Sequence, residues 1–62
     1  MIEVTKLNGI KLSVNEEMIE IIEETPDTVI TMLTGRKIIV KESRQDIKNL
    51  VKSYRKDILG DE

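Results

Sequence analysis

The stretch VTKLNGIKLSVN, from Val4 to Asn15, is followed later in the chain by a second version of itself, ITMLTGRKIIVK, from Ile30 to Lys41. Aligned end to end, the two share Thr5/Thr31, Leu7/Leu33, Gly9/Gly35, Lys11/Lys37 and Val14/Val40. In both, apolar and polar residues alternate on either side of a glycine, as in half-buried strands around a turn. Successive strand side chains point to opposite faces, so a register slip of one residue turns every side chain over. That makes the turn length decidable. A two-residue loop at Asn8-Gly9 sets Val4 opposite Ser13 and mixes the faces. A three-residue loop, Leu7-Asn8-Gly9, sets Val4 opposite Leu12 and Ile2 opposite Val14, with Gly9 in the left-handed position of a bulge. In the second copy a loop of Leu33-Thr34-Gly35 sets Ile30 opposite Ile38 and Thr28 opposite Val40, and Gly35 takes the role of Gly9. Two hairpins built on one turn look alike for that reason alone, which explains the repeat ahead of a duplication.

Between the hairpins lies EEMIEIIEETPDT. Met18, Ile19, Ile21 and Ile22 fit one face of a helix opposite Glu16, Glu20, Glu23 and Glu24, and Asn15 is placed to cap it. Yet Ile19, Ile21, Ile22 and Thr25 are β-branched, which favours a pleated surface. The preferred reading is a short helical turn from Asn15 to Met18 and a strand from Ile19 to Thr25, with helix over 16–24 left open. Pro26-Asp27 then makes a tight turn in which Pro pre-sets the first position and the Asp27 side chain caps. The last segment is plainer. Ser43 and Asp46 resemble a capping box with Asp in place of Glu. Ile47, Leu50, Val51, Tyr54 and Ile58 follow at helical spacing, and Gly60 is placed to stop the helix. The predicted fold is a small α+β domain over 1–62: an antiparallel β-meander of about five strands, near 1–6, 10–15, 19–25, 28–33 and 36–41, with one C-terminal helix, about 44–59, packed on the sheet.

Composition narrows the function. A chain of 62 residues with one Tyr and no Phe or Trp has a small aliphatic core, and domains of this size bury only about 60% of their unfolded surface. Such a core gains from a partner, so a homo-oligomer is expected. The sequence has no Cys and no His. It therefore lacks thiolate nucleophiles, the commonest metal ligand and the side chain best suited to proton transfer near neutral pH. An enzyme is not expected, nor a cofactor or bound metal. The N-terminus carries Glu3 and no apolar block, unlike a secretory signal, and no long apolar run exists, so a cytoplasmic protein is expected.

Charge is unevenly placed. Residues 1–28 hold seven acids and two bases, and residues 29–62 hold eight bases and five acids. The acids Glu16, Glu17, Glu20, Glu23, Glu24 and Asp27 lack the glycine and alternating oxygen ligands of a calcium loop, and so small a chain hardly forms the cleft that paired catalytic carboxylates need. A solvated face is the first reading. In the basic half, Arg44, Lys48 and Lys52 stand four residues apart on one helix face, with Arg55 and Lys56 continuing the row. Like charges at that spacing repel by a few tenths of a kcal/mol per pair, so helix stability does not explain them. Solubility is the plain reading; an acidic protein or a lipid headgroup surface comes next. Nucleic acid comes last, because single-strand binders add aromatic platforms and Tyr54 is expected to face the core.

With these residues in hand, the order LNG, then VN, then IEETPDTVITMLTGRKIIVKES resembles the small flagellar FlbD family, also known as the swarming motility protein SwrD. The resemblance covers nearly the whole chain and is most specific from Ile22 to Ser43. Family members often have Pro where this chain has Glu16, and Asn where it has Thr34. The resemblance implies a cytoplasmic protein that supports flagellar motility or swarming, at the motor or stator, and carries over no activity or cofactor. The residues that look family-specific beyond the needs of folding are Glu23, Glu24, Thr25, Pro26, Asp27 and Thr28; turn formation is their first reading and partner contact the second. The expected function is a non-enzymatic adaptor or assembly factor that binds a flagellar protein through the basic helix face or a sheet edge. The alternative is a small RNA-binding post-transcriptional regulator. Peripheral membrane contact through the basic face is a third possibility.

Overall fold

Both hairpins form in the predicted register. The computed structural model describes the backbone of residues 1–59 and the side chains of residues 1–55. Strand β1 (Ile2–Thr5) pairs antiparallel with β2 (Lys11–Val14), with Ile2 opposite Val14 and Val4 opposite Leu12. The Lys6 N–H donates to the Ile10 carbonyl at 2.8 Å and the Gly9 N–H to the Lys6 carbonyl at 2.9 Å, which closes a three-residue loop with Gly9 at φ +92°. Strands β4 (Thr28–Met32) and β5 (Lys37–Val40) repeat this geometry, with Thr28 opposite Val40 and Ile30 opposite Ile38. Here the Met32 N–H donates to the Arg36 carbonyl and the Gly35 N–H to the Met32 carbonyl, both at 2.8 Å, and Gly35 has φ +95°.

The ambiguous middle resolves as a 3-10 turn, Glu16–Met18, and a strand β3 (Ile19–Glu24). The Asn15 side chain accepts from the Glu17 N–H at 3.0 Å and caps the turn. β3 pairs with β4 across a bulge between Ile19 and Ile21. The meander is interrupted at this point. β1 and β2 form one sheet and β3-β4-β5 another, with no ladder between β2 and β3. A 3-10 turn does not reverse the chain as a hairpin loop does, so β3 starts away from β2 and pairs forward. The two sheets meet instead through β1 and β5, where Lys6 bridges Val40 and the Lys41 N–H donates to the Thr5 carbonyl at 2.8 Å.

Helix α1 runs from Arg44 to Leu59. Its first turn carries the capping box: the Asp46 N–H donates to Ser43 Oγ at 3.0 Å and the Ser43 N–H to Asp46 Oδ2 at 3.2 Å. The core draws Ile2, Val4 and Val14 from one hairpin, Ile30, Ile38 and Val40 from the other, and Ile47 from α1. Leu12, Leu50, Val51 and Tyr54 pack half-buried against it. The side chain of Ile58, the proposed stop at Gly60 and the terminal Asp61-Glu62 lie outside the described residues.

Candidate functional site

The turn between β3 and β4 and the start of α1 come together. The Thr25 N–H donates to the Asp27 carbonyl at 3.2 Å, so the main chain of Asp27 closes the turn in place of the side-chain cap expected for it. The Thr25–Pro26 peptide is cis. Glu24, the last residue of β3, reaches across to α1, and its Oε1 accepts from the Arg44 N–H at 3.0 Å. A helix leaves its first N–H groups without partners inside the helix, and a strand carboxylate supplies one here. The result is an open groove of about 590 Å³ lined by Ile22, Glu23, Glu24, Thr25, Asp27 and Arg44. Of the six candidate contact positions from Glu23 to Thr28, Glu23, Glu24, Thr25, Pro26 and Asp27 are exposed at this groove or its turn. Thr28 is not. It is 4% exposed, inside the sheet between Glu24 and Val40.

From the same groove the basic row leads away along α1. Arg44, Lys48, Lys52 and Arg55 are all exposed, while Ile47, on the face that the row flanks, is fully buried. The rise of an α-helix spaces residues four apart by about 6 Å, so the row presents positive charge at regular intervals. The side chain of Lys56 lies outside the described residues. Among the described residues none of these bases pairs with a carboxylate; the one ion pair joins the Met1 amino group to Glu16 Oε1 at 3.0 Å. Glu16 is thus absorbed into the fold. Its hydrogen bond from the amino terminus holds the carboxyl below the ordinary range against the opposing effect of burial, and the positive charge of Arg55 acts in the same direction as the hydrogen bond. The helical turn expected after Asn15 forms as a 3-10 turn with Glu16 at its first position.

Sequence reasoning passed over Glu42. Its Oε1 accepts from the Thr5 N–H and its Oε2 from Thr5 Oγ1, both at 2.8 Å. The partners are 37 residues apart, and no local pattern in the sequence links them. Burial works to raise the Glu42 carboxyl's pKa, but the two Thr5 hydrogen bonds, together with one from its own backbone, act against it and the net shift is downward. Among the described residues no three His, Cys, Asp or Glu side chains gather as metal ligands, and no helix is long and apolar enough to cross a membrane.

A family model described as flagellar and swarming motility proteins, FlbD, matches residues 1–59. The chain belongs to the FlbD family. The match spans the groove and the described part of the basic row. No curated protein and no solved structure matches the chain. Membership places this FlbD-family chain in flagellar and swarming motility.

Proposed function

We propose that this chain is a cytoplasmic, non-enzymatic adaptor or assembly factor of the flagellar system that binds an acidic protein partner through the Arg44, Lys48, Lys52 and Arg55 row. The carrying observation is that row: four exposed bases without carboxylate partners among the described residues, on a helix whose neighbouring face, from Ile47 to Tyr54, packs on the core. Such a row lowers the stability of its own helix, so its use lies outside the helix. The groove at Glu23 to Asp27 adjoins the row at Arg44 and gives the partner a second, oppositely charged point of reference. A charged surface of this kind sets orientation and association rate more than affinity. The absence of His and Cys from the sequence supports a binding role over a catalytic one.

The test is complementation of a swarming-defective deletion strain with Lys48→Glu, Lys52→Glu, combined with crosslinking from flagellated cells. The expected result is loss of swarming and of one crosslinked flagellar protein at unchanged cellular level of the variant. Full swarming by the double variant overturns the reading. The same bases fit a polyanion such as RNA, but Tyr54 is half-buried against the core and offers no free stacking platform. RNA binding at about 50 mM salt, where the electrostatic attraction is strong, with loss in the double variant, would favour the RNA reading.

A further inference from the structure

Two open strand edges of the fold carry opposite charge. β5 is the last strand of its sheet, and hairpin β1-β2 meets its outer edge only at Val40 and Lys41. Before that point the hairpin tip diverges, leaving an open notch of about 430 Å³ in which Leu7, Leu12 and Ile39 present apolar surface and Lys6, Arg36 and Lys37 supply charge. Leu7 is 50% and Ile39 44% exposed. At the other end of the same sheet β3 also has a free edge. Its sequence is IEIIEE, with Glu20 and Glu23 exposed and Ile21 47% exposed between them.

An unpaired edge is a template for another strand. Two β3 edges brought together would oppose acid to acid, which disfavours that pairing. A basic, apolar edge removes the conflict, and this chain carries one. We propose that the β3 edge of one copy docks into the notch beside β5 of a second copy, with Ile21 against Leu7 and Ile39 and with Glu20 and Glu23, on either side of Ile21, facing the bases of the notch, Lys6 on one side and Arg36 and Lys37 on the other. The contact is heterologous: in a pair one copy keeps its notch free and the other its β3, so the assembly closes into a ring or extends as a filament. A strand-sized contact is small, and its affinity is correspondingly modest and salt-sensitive. This surface shares Glu23 with the groove beside Arg44 but is separate from the basic row on α1, and it goes beyond the adaptor reading.

Two variants test it, one with the notch reversed, Arg36→Glu, Lys37→Glu, and one with β3 reversed, Glu20→Lys, Glu23→Lys. All four residues are exposed, and far-UV circular dichroism checks that each variant folds. Sedimentation of the wild-type chain at tens of micromolar is expected to show concentration-dependent association that weakens as salt rises. Each reversed variant alone is expected to weaken association by about tenfold or more, and an equimolar mixture of the two to restore it, because the reversed faces match each other. Lys48→Glu is expected to leave association unchanged, which separates this interface from partner binding by α1. Should a reversed variant fail to fold, amide hydrogen exchange on the wild type decides, with added protection expected on Ile19–Glu24 and Lys37–Ile39 as concentration rises. A wild-type monomer at tens of micromolar and low salt, a mixture that does not restore association, protection confined to other segments, or loss of association in Lys48→Glu overturns the proposal.

Discussion

Glu42 closes both carboxylate oxygens on Thr5, one on its N–H and one on its hydroxyl, each at 2.8 Å. The contact sits where β1 and β5 come together, beside the Lys41 N–H bond to the Thr5 carbonyl. Two small sheets that share no full ladder are thereby held at one corner by three hydrogen bonds around a single threonine. The inner faces of both hairpins and Ile47 then close on one core.

Glu42→Gln is expected to lower stability by about 1 kcal/mol, at the low end for a charged hydrogen-bond pair because the site is partly exposed. That corresponds to a fall in Tm of about 4–8 °C for a domain of this size. The fold holds the Glu42 carboxyl below its ordinary value of 4.5, so the unfolded chain takes up a proton more readily. The stabilisation is therefore complete above that value and disappears as pH falls through the lower, folded value. Glutamine does not titrate. Thermal melts from neutral pH downward should show the gap between wild type and variant narrowing below about pH 4.

Gly9→Ala and Gly35→Ala are each expected to lower stability by about 1–2 kcal/mol, measured by urea unfolding. An added Cβ at either position meets nothing within 4 Å, so the loss comes from the backbone angles of +92° and +95° and not from a clash. Asparagine tolerates positive φ better than alanine. Gly35→Asn should therefore recover part of the loss, an outcome that a packing role for the glycine would not give.

Ser43→Ala removes the side-chain acceptor of the Asp46 N–H and is expected to destabilise by about 1 kcal/mol. Glu24→Ala acts on the same helix end from the neighbouring strand, by removing the acceptor of the Arg44 N–H. Each loss should appear in far-UV circular dichroism melts. The double variant should lose the sum or less, because the two caps serve donors of the same first turn, Arg44 and Asp46.

How far the sequence discloses this fold depends on the range of the interaction. Both hairpin registers follow from alternation plus one glycine each, because a turn and its flanking strands are neighbours in the chain. The helix from Arg44 to Leu59 and its box at Ser43 and Asp46 are equally local. The separation of β2 from β3 is not legible, since the 3-10 turn after Asn15 decides the direction in which β3 leaves. Nor is the Thr5–Glu42 contact, which joins two exposed-looking polar residues through the meeting of two sheets. At the candidate site the turn and the basic row could each be read from the sequence. Their meeting through Glu24 and the Arg44 N–H, and the burial of Thr28, could not.

Lys48→Glu separates folding from function. Lys48 stands four residues from both Arg44 and Lys52, all exposed, and each like-charged pair at that spacing destabilises a helix by about 0.2–0.5 kcal/mol. The substitution converts two repulsive pairs into two attractive ones. The gain should be about 1 kcal/mol at low salt, less in the orientation where the base precedes the acid, and it should fade as salt screens it. Thermal melts at low and high salt measure this directly. If the row exists to meet a partner, the more stable variant is the one that no longer supports swarming, an outcome opposite in sign to any explanation through misfolding. A variant that is both more stable and fully motile would return the row to plain surface solubility.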